Sequence, residues 1–322
     1  MSFQPLVFRK TQNHFSRSQL YLTWAFLQPD IPLGVDKLLP QVRMALMSIQ
    51  KTHFAERDQI SILLAVTLFS ATLFRFVELP TFAWGVQHIL GSPLGFSLGG
   101  DWLLTILMTG LVATGTLTIM QSHPLRGAQE RLLIFSLITP TAGALLTSLL
   151  LIRAASWSAW LATLLAGGVL IGVLVRLSYQ AFSPESSSYP SARTMLNIID
   201  YLTGFVILSI MMQKQERALI TAPAIFLLSG LLALELLSAS GVQWQAVLLF
   251  GGIVALLESE MGWILGYWPI SSWTAAALLT LGLYISSGIA YQYLLKRLTR
   301  HIIVEFAVVT LLMFLLVLWV RP

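Results

Sequence analysis

The sequence has no cysteine and few charged residues. Charged residues make up 10% of the 322 positions, against 56% hydrophobic residues. The absence of cysteine excludes disulfides, thiolate nucleophiles, Fe–S clusters and Cys-ligated zinc. A soluble domain carries about a quarter charged residues, so the composition excludes a soluble enzyme, a nucleic-acid-binding module and a disordered chain. It indicates a polytopic membrane protein.

Motifs of several enzyme classes are also missing. The sequence contains no GxxxxGK[ST] phosphate loop, no HExxH zinc motif and no GxSxG serine elbow, and its five histidines are scattered. No pair of Asp-rich motifs suited to a magnesium diphosphate occurs either. We therefore expect no metal and no cofactor, and the sequence favours a protein that is not an enzyme.

Nine apolar runs approach or exceed the roughly 20 residues that cross a bilayer as a helix. They are continuously apolar and not alternating, which predicts helices rather than the strands of a barrel. The predicted fold is an all-α polytopic helix bundle with about nine transmembrane helices. The runs cover residues 60–76, 102–120, 132–152, 157–177, 196–212, 218–237, 242–257, 273–295 and 302–320.

The first 57 residues differ from the transmembrane domain, which we assign to residues 58–322. Apolar residues at helical spacing, such as Leu20, Trp24 and Leu27, form one-sided stripes. We expect amphipathic helices here that lie on the cytoplasmic membrane face or against the bundle, with a partner-docking arm as the alternative.

Two connections are longer than hairpin turns. Residues 178–195 are rich in serine and proline, and predict a cytoplasmic linker between the first four and the last five spans. Residues 77–100 contain no lysine or arginine and are rich in glycine and aromatic residues. They suit a loop on the outer surface, and whether this loop re-enters the bilayer stays open.

The basic residues predict how the chain is threaded. With the N-terminus in the cytoplasm, most lysines and arginines of the connections lie on the cytoplasmic side, as the positive-inside rule requires. The net charge of +5 then reflects orientation and contact with anionic lipids, and not nucleic acid. Together with the lack of cysteine, a retained first span fits a bacterial plasma (inner) membrane.

One set of candidate site residues lies towards the outer face. Arg75 falls near the end of the first span, and carboxylates close to the same depth could pair with it. The segment after the seventh span contains two glycines and a proline, and is therefore expected to lie on the outer surface instead of continuing the helix. With its aromatic residues it could bind a cationic or sugar-like head group, although a charge pair with an interfacial anchor is the plainer interpretation. The set comprises Arg75, Glu78, Glu258, Glu260, Trp263, Tyr267 and Trp268.

A second set lies towards the cytoplasmic face. Asp200, Glu235 and Glu305 fall at matching depths in the fifth, sixth and ninth spans. Carboxylates inside a membrane are expensive and often functional. Three of them could bind a cation or relay protons, or could pair with arginines at the boundary.

Small residues at helical spacing predict close helix contacts. Gly168 and Gly172 form a GxxxG motif in the fourth span, and Gly282 with Ser286 forms a weaker one in the eighth. We expect both motifs to pack helices within this chain.

Three classes of function remain open. A non-catalytic scaffold or accessory subunit, with membrane lipids and other membrane subunits as partners, fits the shortage of polar groups in the spans. A transporter or lipid-handling permease would use the outer set. A membrane transferase acting on lipid-linked substrates, with Glu258 or Glu260 as base, has no accompanying nucleophile or metal site. The sequence favours the scaffold.

Overall fold

The computed structural model describes residues 58–77, 82–89, 92–122, 133–183, 186–213 and 218–319. The amphipathic N-terminal helices predicted for residues 1–57, and the candidate residue Glu78, lie outside these ranges.

The predicted all-α polytopic bundle is confirmed. Within the described residues, eight spans are long and apolar enough to cross a membrane. The ninth predicted span corresponds to a helix of 20 residues at the C-terminal end. The helices are α1 (Asp58–Phe76), α2 (Gly100–Gln121), α3 (Leu133–Ser136), α4 (Ile138–Arg153), α5 (Trp157–Gln180), α6 (Tyr189–Gln213), α7 (Ala218–Ser238), α8 (Trp244–Gly266), α9 (Ser272–Leu294) and α10 (Arg300–Trp319).

The segment between α1 and α2 contains a β-hairpin where the sequence suggested a loop. Strands β1 (Phe82–Ile89) and β2 (Ser92–Leu98) pair antiparallel, with Phe82 opposite Leu98 and an irregularity between Val86 and Ile89. Aromatic and β-branched residues in β1 favour an extended backbone. The sequence suggested a loop because the segment is rich in glycine, which is uncommon in strands.

Helix α4 is the centre of the bundle. Ala144 and Leu151 belong to a buried cluster with α1, α2 and α5. Ala142 and Leu146, on the other side of α4, belong to a larger cluster with α6, α7, α8 and α9. The two halves of the bundle therefore share one helix, and both cores depend on it.

Pro140 interrupts the third predicted span near its start. Proline has no N–H to donate to the carbonyl four residues earlier, and the helix breaks at Leu137, between α3 and α4. The Thr141 hydroxyl donates to the Leu137 carbonyl at 2.7 Å. Ser136, just before the break, shares a cavity wall with Ser178 and Tyr189, which flank the α5–α6 connection. We call this end of the bundle the linker end.

The GxxxG motif of α5 packs against α1, as expected. A Cβ added at Gly168 would lie 3.0 Å from Leu68, and one added at Gly172 would lie 2.9 Å from Leu64. The glycines allow the two helices to approach closely.

Three helix ends extend beyond the predicted bounds by three residues or more. Helix α5 continues to Gln180 and α6 begins at Tyr189, so the connection between them is shorter than the linker expected over 178–195. Pro190 lies in the first turn of α6, where an N–H is not needed. Helix α8 continues through Glu258 to Gly266, because Gly262 packs closely against Ile225 of α7 instead of ending the helix.

Candidate functional site

A largely buried ion pair joins α6 to α7 at the linker end. Arg193 Nη1 donates to Glu235 Oε1 at 2.7 Å, and Arg193 Nη2 lies 3.3 Å from Glu235 Oε2. The two side chains are 14% and 3% exposed. Arg193 Nη2 also donates to the main-chain carbonyl of Glu235 at 2.8 Å. One guanidinium thus binds a carboxylate in a fork and caps the C-terminal end of α7.

Asp200 lies deeper in the bundle than the ion pair. It follows Arg193 by two helical turns on α6, about 10 Å along the axis, and is 1% exposed. Neither Asp200 oxygen accepts a hydrogen bond of normal geometry from the described residues, although the Glu235 carboxyl and the Thr139 hydroxyl lie nearby. A buried carboxyl without a donor calls for an explanation.

A cavity of about 100 Å³ adjoins the ion pair. This volume has room for several water molecules. Its walls combine polar and apolar side chains, and the Ser178 hydroxyl in them makes no hydrogen bond to a described residue. Residues on the walls include Ser136, Ser178, Tyr189, Arg193, Glu235 and Ser238.

A hydrogen bond links the site to α9. Tyr201 Oη and Ser287 Oγ are 3.1 Å apart. The Ser287 hydroxyl already donates to the Leu283 carbonyl, so the Tyr201 hydroxyl is the donor. The residue next to Asp200 therefore joins α6 to α9.

The structure brings together two of the three residues in the cytoplasmic set. Asp200 and Glu235 interact, whereas Glu305 is exposed on α10. Arg193, the cation that pairs with Glu235, was missed as a site residue because its position fell in the expected linker. A helical continuation through Arg193, Asn197 and Asp200, at spacing i, i+4 and i+7, was the available signal.

The outer set is dispersed. The Arg75 guanidinium lies 5.9 Å from the centroid of the Trp157 ring on α5. Glu258 instead packs against Gly282 of α9, so the two candidates contact different helices. The other described members are exposed on or beyond the last turns of α8: Glu260, Trp263, Tyr267 and Trp268.

Glu258 is inside the bundle and not at its outer surface. It lies just past the midpoint of α8, is 2% exposed, and has one oxygen without a hydrogen-bond partner among the described residues. The sequence placed Glu258 towards the outer face because the apolar run of the seventh span ends before it, whereas the helix continues for two more turns. Asp200, placed towards the cytoplasmic face, likewise lies close to the midpoint of its helix, α6.

Groups of three or more histidine or acidic side chains that could hold a metal ion do not occur in the described ranges. A proton needs only one oxygen atom, and a monovalent cation can be held largely by neutral carbonyl oxygens, so neither requires such a group.

A family model described as "Protein of unknown function (DUF5656)" matches residues 82–320. The matched range contains the linker-end residues and Glu258, whereas α1 and Arg75 precede it. No curated protein and no solved structure matches the chain.

Proposed function

The chain belongs to the DUF5656 family of proteins of unknown function, and we propose that it is an ion-coupled membrane permease whose linker-end site binds one proton or one monovalent cation. The observation that carries this proposal is the charge balance of three side chains, of which Asp200 and Glu235 are buried and Arg193 is 14% exposed. Arg193 supplies one positive charge, whereas Asp200 and Glu235 could each carry a negative charge. A net negative charge in a low-dielectric interior is energetically unfavourable. Binding of one proton or one monovalent cation would therefore stabilise the cluster.

The surroundings of the site support an exchangeable ligand. The cavity borders Arg193 and Glu235 but not Asp200, so an ion from the linker end would pass the ion pair to reach the unpartnered carboxyl. Buried carboxylates beside a water-accessible cavity are the usual ion and proton sites of membrane transporters. The basic connections support a cytoplasmic linker end.

Ligand binding can be tested on the full chain in lipid nanodiscs. One arm titrates Na⁺ or K⁺ at fixed pH, and the other lowers the pH in a buffer without alkali cations. Because a ligand that binds the folded state stabilises it, we expect the melting temperature to rise in one of the two arms. The arm that responds identifies the ligand.

Asp200→Asn tests the assignment, and Asp101→Asn is its matched control because Asp101 is exposed at the start of α2. We expect Asp200→Asn to lose the response and Asp101→Asn to keep it. A response that is equal in both variants, or a wild-type chain that responds in neither arm, overturns the proposal.

A second candidate is the scaffold or accessory-subunit role, which the peripheral helix α10 favours. No residue of 300–315 is buried, and Phe306 packs this helix against Gly288 and Tyr284 of α9. Apolar side chains such as Leu311 and Leu312 remain exposed for lipid or for another membrane subunit. Extraction of native membranes directly into nanodiscs would test this role. A stoichiometric partner protein supports it, and lipid alone argues against it.

A further inference from the structure

Glu258 of α8 is a buried carboxyl in a different part of the bundle from the linker-end site. Its side chain is enclosed, at 2% exposure, and Oε2 accepts no hydrogen bond from the described residues. A carboxylate in such surroundings lacks the solvation that its charge needs. Either a cation lies nearby or the group carries a proton.

The side chains around Glu258 supply no cation. A Cβ added at Gly282 of α9 would lie 2.7 Å from Glu258 Oε1 and 2.9 Å from the Met261 methyl group, so the carboxyl is pressed against the α9 backbone. Within the described part of the chain, no charged group interacts with it. The one titratable side chain of α7, Glu235, is near the far end of that helix and pairs with Arg193.

The directions of the hydrogen bonds indicate which protonation state of Glu258 is compatible with its neighbours. Ser286 of α9 is the polar neighbour of the carboxyl, and its hydroxyl donates to the Gly282 carbonyl at 2.8 Å. A serine hydroxyl has one proton, so the oxygen of Ser286 remains available only as an acceptor. A hydrogen bond between the two side chains then requires the proton to be on Glu258.

We propose that Glu258 is a proton-binding site inside the bundle, and that loss of its proton opens the contact between α8 and α9 to water. Deprotonation releases one proton to water and leaves one negative charge on Glu258, with no change at any other group. The resulting carboxylate cannot donate a hydrogen bond to Ser286. Because the carboxyl already lies against the backbone of α9 at Gly282, no water fits between them to hydrate the charge. Separation of the two helices beside Gly282 supplies that space.

Infrared spectroscopy of the full chain in nanodiscs tests the proton directly. Protonated carboxyl groups absorb in a C=O region that carboxylates leave empty. We expect the wild-type chain at neutral pH to show a band that Glu258→Gln removes and that the exposed control Glu260→Gln retains. Ser286→Ala keeps the carboxyl but removes its acceptor, and is expected to shift the band in frequency.

Amide hydrogen exchange tests the opening. As the pH rises, after correction for the intrinsic pH dependence of exchange, we expect faster exchange in α8 and α9 beside Gly282. Glu258→Gln cannot ionise, so its exchange stays slow, whereas Glu260→Gln follows the wild type.

Two results overturn the proposal: a carboxyl band that persists unchanged in both Glu258→Gln and Ser286→Ala, or exchange in Glu258→Gln that rises as in the wild type. The variant Asp200→Asn distinguishes a failure of this proposal from a failure of the proposed function. The band and the opening at Glu258 should survive that variant even if the linker-end site binds no cation.

Discussion

The bundle buries carboxyl groups in two regions that differ in their electrostatic surroundings. At the linker end, Glu235 is held by the guanidinium of Arg193 and a cavity adjoins the pair. At Glu258 the carboxyl faces a glycine and a serine, and no described cation is near it. The comparison indicates that a buried carboxylate is kept charged by a fixed cation, and that without one the same chemical group must bind a proton.

The two regions also differ in how their helices are joined. The α6–α7 contact is fixed by charged hydrogen bonds, one of them to the main chain of Glu235. The α8–α9 contact depends on the absence of a side chain at Gly282. We therefore expect the first contact to be sensitive to loss of charge and the second to added volume.

The largest loss of stability is expected from removing the cationic side chain at the linker end. Arg193→Leu leaves Glu235 and Asp200 buried without a counter-charge, which should lower the free energy of unfolding by about 3–5 kcal/mol. Denaturation in mixed micelles measures the loss.

The double variant Arg193→Leu with Glu235→Leu is the control for that prediction. Both charges are then absent and replaced by apolar groups, so most of the lost stability should return. A double variant that is as unstable as Arg193→Leu would show that the fork itself, and not the uncompensated carboxylate, determines stability.

A smaller effect is expected from adding volume beside Glu258. Gly282→Ala places a methyl group 2.7 Å from Glu258 Oε1, and moving the side chain should cost about 1–3 kcal/mol of unfolding free energy. Gly252→Ala is the matched control on α8, because nothing lies within 4 Å of its added Cβ. We expect this control to be as stable as the wild type or slightly more stable, because alanine favours helix. Equal losses in the two variants would contradict the close contact.

The fold follows from the sequence more directly than the sites do. Apolar runs predict spans because the bilayer requires satisfied backbone groups along each of them. They do not predict where a helix ends, because a polar residue inside a helix interrupts the run without interrupting the backbone. Glu258 and Arg193 both lie beyond the apolar runs, and their helices include them. The partner of Arg193 depends on the packing of α6 against α7, which no local pattern determines.

Removing the hydrogen bond that links the two regions should lower the stability only modestly. Tyr201→Phe removes the hydrogen bond from α6 to Ser287 on α9, at a cost of about 1 kcal/mol in unfolding free energy. Tyr293→Phe on the exposed side of α9 should change stability less. If the two variants lose the same stability, the Tyr201–Ser287 hydrogen bond contributes nothing measurable and the two regions are joined by apolar packing alone.

The smallest loss of stability is expected from replacing Arg75, which belongs to neither region. Arg75→Gln removes a cation beside the Trp157 ring, and an exposed contact of this kind contributes about 0.5–1 kcal/mol. The sequence suggested that Arg75 pairs with Glu258, and a double-mutant cycle with Glu258→Gln tests that pairing. Because the two side chains contact different helices, their effects on unfolding free energy should add within about 0.5 kcal/mol. A larger coupling energy would mean that Glu258 has a cation after all, and the distinction between the two buried carboxyl regions would fail.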